Sequence, residues 1–316
     1  MKWNTKITKL LSIDYPILLG AMANISNSTL AAAMYRAGGC GVIGSGGFTA
    51  DRVREEIRKA KDLLGPDGVY GVNLMLQAPN KDDILQVICE EKVPFVTLGA
   101  GNPIPCFEPL HRNGIKCIPV VPNVRLAQKV QAAGADAMVV EGMEAGGHDG
   151  KITLTALLEN VLPEIEIPVI AAGGISDGRG IAAALVMGAS GVQIGTRFLL
   201  SEESPIHPHA KEALIRAEDT DSAVTGFTRD DSVRGLRNKY SDAYLEKEYG
   251  GASAAELAAF AAGSVPKAAV HGDMENGFLP AGMSLTHLTK VQPVAAIMEE
   301  LVSETEKALA KAPQLI

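Results

Sequence analysis

The 316-residue sequence has few aromatic residues, few cysteines and no long apolar run. Aromatic residues make up 4% of a chain that is 47% hydrophobic, so aliphatic side chains must fill most of its core. The four cysteines have no Cys-x-x-Cys spacing, which favours buried, inert thiols. No apolar stretch is long enough to cross a bilayer, and the N-terminus lacks the apolar segment of a signal peptide. These absences predict a soluble, cytoplasmic protein.

Positive charge is also scarce, since the formal net charge is −8. This balance argues against a nucleic-acid partner, which requires a basic surface. No Gly-x-Gly-x-x-Gly fingerprint is present, so a nicotinamide cofactor would have to bind without a Rossmann domain. One local basic run stands out, and it consists of Arg229, Arg234, Arg237 and Lys239. It is either a solvated helix face or a docking surface for a phosphorylated or acidic partner.

Short apolar runs alternate regularly with helix-like segments. The predicted strands cover residues 17–19, 41–43, 70–74, 95–98, 116–121, 137–140, 169–172 and 191–194. Most are continuously apolar, which indicates burial on both faces. Eight such units predict a (β/α)₈ TIM barrel. The predicted domains are a barrel core at 1–200, a small helical lobe at 201–270, and a return loop with a C-terminal helix packing on the barrel at 271–316.

Two glycine-rich turns follow the seventh and eighth predicted strands, at residues 171–175 and 193–197. The loops at these two positions often bind phosphate in TIM barrels. Glycines let backbone N–H groups approach a ligand closely, although they also simply permit tight turns. The candidate phosphate donors are the N–H groups of Gly173, Gly174, Gly195 and Thr196, with the Thr196 hydroxyl.

Polar side chains also stand at the predicted strand ends. His148 lies in a Gly-Gly-His-Asp-Gly loop after the sixth strand, where its imidazole would suit proton transfer. A structural role is the alternative. Zinc is not expected, because no second histidine or cysteine sits at ligand spacing. Asn73 and Glu141 are either buried strand caps or hydrogen-bonding groups for a heterocycle, and the loop at Met22 is either core or a floor for a flat ring.

The segments 71–75, 97–103, 141–148, 171–175 and 193–198, in this order and spacing, carry a family resemblance. Together they resemble the flavin-dependent enoyl-acyl carrier protein reductase II family, within the nitronate monooxygenase (2-nitropropane dioxygenase-like) superfamily. The resemblance runs from Ile13 to Asp273. It implies FMN at the mouth of a TIM barrel and His148 as the active-site histidine. The implied cofactor-binding residues are Ala21, Met22, Asn73, Glu141, Gly146, Gly147, Gly173, Gly174, Gln193, Ile194, Gly195 and Thr196.

The implied reaction is reduction of a trans-2-enoyl thioester on acyl carrier protein with NADH or NADPH, the last step of fatty acid elongation. The resemblance also implies a monovalent cation with unassigned ligands, and we expect a homodimer. Glu141 favours the reductases, because the nitronate monooxygenases tend to have Gln there. Met283 departs from the family pattern, in which Gln is expected. The alternatives are a nitronate monooxygenase using the same flavin and oxygen, and a non-enzymatic phosphosugar- or nucleotide-binding barrel.

Overall fold

A computed structural model describes residues 2–229 and 231–315 of the chain. The strands are β1 (Ile17–Leu19), β2 (Gly41–Gly44), β3 (Tyr70–Met75), β4 (Phe95–Gly99), β5 (Lys116–Val121), β6 (Met138–Glu141), β7 (Gly147–His148), β8 (Val169–Ala172), β9 (Gly191–Ile194), β10 (Ser222–Thr225) and β11 (Val233–Leu236). All except β7, β10 and β11 belong to one sheet of eight strands.

The α-helices surround this sheet and extend beyond it. They are α1 (Lys6–Leu11), α2 (Ser28–Arg36), α3 (Ala50–Leu64), α4 (Lys81–Glu91), α5 (Phe107–Arg112), α6 (Val124–Ala132), α7 (Leu154–Val161), α8 (Gly178–Met187), α9 (Thr196–Leu199), α10 (Pro208–Arg216), α11 (Lys239–Tyr249), α12 (Ala254–Ala261), α13 (Ser264–Ala269) and α14 (Val294–Lys311). Short 3₁₀ helices cover Ile104–Cys106, Leu162–Glu164, Phe227–Arg229 and Ala312–Leu315.

The eight-stranded sheet is parallel and closes into a barrel, which confirms the predicted fold. Its order is β1-β9-β8-β6-β5-β4-β3-β2. Between β1 and β2, the Leu19 N–H donates to the Cys40 carbonyl at 2.8 Å and the Cys40 N–H donates to the Ile17 carbonyl at 3.0 Å. The predicted strand ends differ from the observed ones by one residue at most. Continuous apolar runs located these strands because both of their faces are buried.

Aliphatic side chains fill two cores, one inside the barrel and one between the strands and the outer helices. The inner core includes Leu18, Phe95 and Ile170, and it is joined by Ile7 and Leu11 of α1. Helix α1 therefore closes the N-terminal end of the barrel and leaves the other end open. Helix α1 was not predicted, because six residues are too few to show a clear helical period.

In its described residues, the region at 201–270, predicted as a small helical lobe, contains four α-helices and also two strands that were not predicted. Strands β10 and β11 form an antiparallel hairpin, and β11 also pairs with β7. In this register Val233 lies opposite His148 and Arg234 lies opposite Gly147. Strands β10 and β11 are only four residues long, and the pairing of β11 with β7 joins distant segments. Neither property leaves a local pattern in the sequence.

The cysteines and the helix lengths agree with the absences seen in the sequence. All four cysteines are free, and three of them are buried. Burial raises the pKa of each thiol above its ordinary value, which agrees with inert thiols. Within residues 2–229 and 231–315, no helix combines the length and the apolar character needed to cross a membrane.

Candidate active site

A cavity of about 560 Å³ opens at the C-terminal ends of the barrel strands. The strand ends contribute its floor, the βα turns contribute one wall, and the lobe covers it from above. Twelve of the thirteen residues predicted for the site line this cavity: Ala21, Met22, Asn73, Glu141, Gly146, Gly147, His148, Gly173, Gly174, Gln193, Gly195 and Thr196. The structure thus brings together residues from five separate βα units, those of β1, β3, β6, β8 and β9.

Ile194 is the exception. Its side chain is 1% exposed and belongs to the core between the strands and the outer helices. Only its backbone faces the neighbouring strand, where its carbonyl accepts the Gly20 N–H at 2.8 Å. Alternation along β9 explains this arrangement, because Gln193 and Gly195 point into the barrel and Ile194 between them must point outward. Ile194 therefore offers no side chain to a ligand in the cavity.

The two glycine-rich turns after β8 and β9 present free backbone donors. Within the described residues, the N–H groups of Gly174, Gly195 and Thr196 have no hydrogen-bond acceptor. The Thr196 hydroxyl oxygen accepts the Gly282 N–H at 2.9 Å, so its own proton remains available to a ligand. Because β8 and β9 are neighbours in the barrel, these donors lie on the same side of the cavity. Such a cluster suits a phosphate group.

The glycines of these turns are required for different reasons. Gly173 and Gly174 have φ angles of 103° and 68°, which few other residues adopt. Gly195 has an ordinary φ of −106°. A Cβ added there would meet only the Met22 side chain, at 3.7 Å. Turn geometry therefore accounts for the first two glycines, whereas Gly195 keeps space open at the cavity wall.

Asn73 is held in a defined orientation at the end of β3. Its Nδ2 donates to the Thr97 hydroxyl at 3.0 Å and to the Thr97 carbonyl at 3.3 Å. Its carbonyl oxygen has no donor within the described residues and lines the cavity. Asn73 thus presents a free acceptor to an N–H group of a ligand, which suits the edge of a heterocycle.

Glu141 is a carboxyl group at the bottom of the cavity. Burial, and then the nearby charge of Asp149, raises the pKa of Glu141 to about 8. Burial also raises the pKa of Asp149, although the Ser232 hydroxyl and Arg234 oppose this shift. Two neighbouring carboxyl groups in a low-dielectric site do not ionise together readily. Glu141 therefore tends to be protonated near neutral pH, when it can donate as well as accept a hydrogen bond.

His148 is held in place by the lobe. Its strand β7 pairs with β11, and its Nε2 lies 3.4 Å from Oδ1 of Asp231. The imidazole is 43% exposed, so it can exchange protons with solvent. This arrangement equips His148 for proton transfer.

The next residue, Asp149, fastens the same loop to the lobe. Its Oδ1 accepts the Ser232 hydroxyl at 2.6 Å, and its Oδ2 lies 3.6 Å from Nη2 of Arg234. Arg234 also donates to the Met143 carbonyl at 2.9 Å and to the Ser222 hydroxyl at 3.1 Å. The Arg234 and Asp149 side chains are 7% and 3% exposed. The lobe and the His148 loop thus share a buried ion pair.

This burial corrects the prediction of a four-residue basic surface. Arg234 lies inside the protein, and Arg229 lines the cavity. Only Arg237 and Lys239 remain exposed, and each is paired, with Asp242 and Glu275 respectively. Four basic residues within eleven positions indicated one surface, but a β-strand places alternate residues on opposite faces.

The loop at 281–283 packs against the loop at 144–148, which carries His148. A Cβ on Gly146 would lie 2.7 Å from the Ala281 Cα, so glycine permits close backbone contact there. The Met283 N–H donates to the Glu144 carbonyl at 3.0 Å, while its side chain is 42% exposed and does not line the cavity. The departure from Gln at this position therefore does not alter the wall of the cavity.

An apolar chamber, which was not predicted from the sequence, lies beneath the lobe. Its lining joins the same cavity and is formed by Tyr240, Tyr244, Ala258, Ala261, Val265 and Phe278. The Tyr240 ring stacks on the Phe260 ring, with centroids 5.1 Å apart. The centroid of the Phe278 ring lies 5.7 Å from that of Tyr240. The four-residue spacing of Tyr240 and Tyr244 is typical of one helix face. It did not reveal what that face covers.

Comparisons with known proteins identify the family of this chain. The family model for nitronate monooxygenase matches residues 4–91 and 81–304. The chain belongs to the nitronate monooxygenase family. It is therefore an oxidoreductase of a family of FMN-dependent flavoproteins.

Three proteins illustrate the range of the relatives. The structure of FabK from Thermotoga maritima is 42% identical, covers 100% of both chains and superposes with a TM-score of 0.96. A probable nitronate monooxygenase from Staphylococcus saprophyticus is 34% identical over 76% of this chain and 80% of its own length. A nitroalkane oxidase from Streptomyces ansochromogenes is 29% identical, covers 97% of this chain and 99% of its own, and has a TM-score of 0.85.

Proposed function

We propose that this protein is an NAD(P)H-dependent enoyl-acyl carrier protein reductase that uses FMN. The reaction adds a hydride to the β-carbon and a proton to the α-carbon of a trans-2-enoyl thioester, and it oxidises NAD(P)H to NAD(P)⁺. The 42% identity to FabK over both full chains supports this branch of the family. Glu141 supports it as well, because the resemblance implies Glu at this position in the reductases and Gln in the nitronate monooxygenases.

The observation that carries the proposal is the apolar chamber next to His148. Tyr240, Tyr244 and Phe278 line it, and it is continuous with the polar end of the cavity. An acyl chain gains about 0.8 kcal/mol for each buried CH₂ group. A small alkyl nitronate has no need of such a chamber. The chamber therefore favours a substrate that carries both a reactive polar end and an aliphatic chain.

The residues of the cavity fit FMN. The free N–H groups of Gly174, Gly195 and Thr196 would hold its phosphate, and the open space at Gly195 admits it. The Asn73 oxygen and the protonated carboxyl group of Glu141 would bind polar edges of its ring. The chemistry that FMN supplies when bound is hydride transfer between the nicotinamide and the double bond.

His148 would hold the proton that the α-carbon receives. Its Nε2 lies beside Asp231 and is open to the cavity. The lobe would exclude water from the acyl chain and orient the thioester toward this imidazole, because Tyr240 and Tyr244 line the apolar part of the cavity. Orientation of this kind contributes through proximity rather than through new chemistry.

An anaerobic flavin titration tests the proposal. NADH or NADPH should bleach the flavin absorbance of the purified protein, and crotonyl thioester should then restore it without oxygen. The opposing experiment measures oxygen uptake by the protein with an alkyl nitronate. Rapid oxygen uptake with the nitronate, together with no reoxidation by the thioester, would assign the chain to nitronate oxidation instead.

The rival function has one specific support. The relative from Staphylococcus saprophyticus carries the name probable nitronate monooxygenase. In that reaction His148 would remove a proton from the substrate rather than donate one. The two reactions would use the same imidazole at the same cavity wall, but they differ in the electron donor, the electron acceptor and the direction of proton transfer.

A further inference from the structure

A second crevice of about 610 Å³ lies on the outside of the barrel, between α8, α14 and the segment at 287–290. It shares no lining residue with the candidate active site. Its basic side chains outnumber its acidic ones, five to three. The basic residues are Arg179, Arg197, Lys290, Lys307 and Lys311. This local excess is unusual in a chain whose net charge is −8.

Arg197 contributes a buried donor that lacks a partner. Its side chain is 8% exposed. Its Nη2 donates to Gln292 at 3.1 Å and to Glu300 at 2.8 Å. Its Nη1 has no hydrogen-bond partner in the part of the chain that the structure describes. A buried N–H group without an acceptor is unfavourable. Because Arg197 also lines the crevice, its guanidinium charge would attract an oxyanion bound there.

The three acidic residues of the crevice are already engaged. Asp177 is paired with Arg179 and accepts the Gly180 N–H at 3.0 Å. Glu304 accepts the Gly178 N–H at 2.9 Å. Glu300 lies between Arg197 and Lys290, and these contacts, with Gln292, keep its pKa below the ordinary value. Each of the three carboxylates therefore already has a hydrogen bond or an ion pair within the protein.

Two lysines remain available to a ligand. Lys307 and Lys311 stand one turn apart on α14 and line the crevice. Neither has an ion-pair partner within residues 2–229 and 231–315. Two ammonium groups and a guanidinium facing one space are the donors that phosphate groups prefer in proteins.

We infer that this crevice binds a small molecule that carries phosphate. Its volume lies within the range typical of small-molecule sites. Arg197 would form the fixed donor at its base, and Lys307 and Lys311 would close on the anion from the exposed side. The inference does not depend on the proposed reaction, because no residue of the candidate active site takes part.

Calorimetric titration with orthophosphate and with pyrophosphate tests this site. The protein should first be saturated with FMN, so that the active-site cavity is filled, and chloride of equal ionic strength should serve as the reference. We expect saturable binding of at least one of the two anions. In the variant Lys307→Gln/Lys311→Gln, the dissociation constant should rise about five-fold, since each exposed contact is worth roughly half a kcal/mol.

The control variant is Lys59→Gln/Lys129→Gln, which removes the same charge from exposed positions on α3 and α6. Its affinity for the anion should match the wild-type protein. Arg197→Lys offers a second measurement, because it keeps the charge and removes Nη1. Binding that is not saturable, or that is unchanged in both crevice variants, would overturn the inference.

Discussion

The two walls of the candidate active site are built in different ways. The turns after β8 and β9 are parts of consecutive βα units, and the parallel ladder between these strands fixes them. The loop of His148 forms a two-residue strand that pairs with β11 of the lobe. The first wall thus depends on local chain geometry, whereas the second depends on a distant segment. Ligand binding and turnover should therefore respond separately to substitution.

The largest effect is expected from Gly195→Val at the first wall. The backbone there has an ordinary φ, so the variant should fold. The new side chain would project toward Met22 and fill the space that we assign to the phosphate. We expect the purified variant to lose its FMN, as measured by flavin absorbance per protein.

Gly180→Val is the matched control, because its Cβ would make ordinary contacts, at 3.4 Å, with Ile175. It should retain the flavin. Wild-type FMN occupancy in folded Gly195→Val would show that this turn does not hold the phosphate.

At the second wall, His148→Ala should reduce turnover and leave FMN binding intact. Loss of a general acid typically costs about 10²–10⁴-fold in rate. The measurement is kcat with crotonyl thioester at saturating NAD(P)H, beside the flavin content of the same sample. His209→Ala, at an exposed position outside the cavity, is the control. An unchanged kcat in His148→Ala would make the histidine structural.

Arg234→Gln should weaken the attachment of the second wall. It would leave Asp149 buried without its ion-pair partner, and removal of one partner from such a pair costs about 3–5 kcal/mol. We expect a lower free energy of unfolding in urea and a lower kcat, with FMN still bound. The double variant Asp149→Asn/Arg234→Gln should recover part of the stability. If the single variant lost flavin as readily as activity, the two walls would not be independent.

The smallest effect is a change in pH dependence at Glu141. Its pKa of about 8 lies above the unfolded-state value. The folded state therefore holds a proton that the unfolded chain has released, and the residue lowers stability as the pH rises from about 4 to about 8. The slope cannot exceed about 1.4 kcal/mol per pH unit.

Glu141→Gln removes this titration. The Tm of the variant without flavin should rise relative to wild type as the pH increases through this window. Glu159→Gln, at an exposed position on α7, is the control and should follow wild type. A constant difference in Tm between about pH 5 and about pH 8 would contradict the raised pKa.

Much of the first wall was predictable from short patterns. Strands buried on both faces leave continuous apolar runs, and glycine at the end of such a run marks a turn. These patterns placed Gly173, Gly174 and Gly195 at one end of the barrel, where the structure also has them. The resemblance also implied Ile194, but its side chain points away from the cavity, because side chains alternate between the two faces of a strand.

Little of the second wall was predictable. The basic run at 229–239 indicated a surface, yet Arg234 is buried in an ion pair with Asp149. Strands β10 and β11 were read as part of a helical region. Both errors have one cause, because the pairing of β11 with β7 joins residues far apart in the chain, and no local period records such a contact.

Local sequence patterns were sufficient to predict the barrel, its eight strands and the glycine turns at its mouth. Each of these depends on residues that are close together in the chain. The tertiary structure alone decided how His148 is held, which residues roof the cavity and where Arg234 lies. Tyr240 and Tyr244 pack with Phe278 to form the chamber, and burial beside Asp149 sets the pKa of Glu141. Packing between distant segments creates these properties, since burial and charge proximity exist only after the chain has folded.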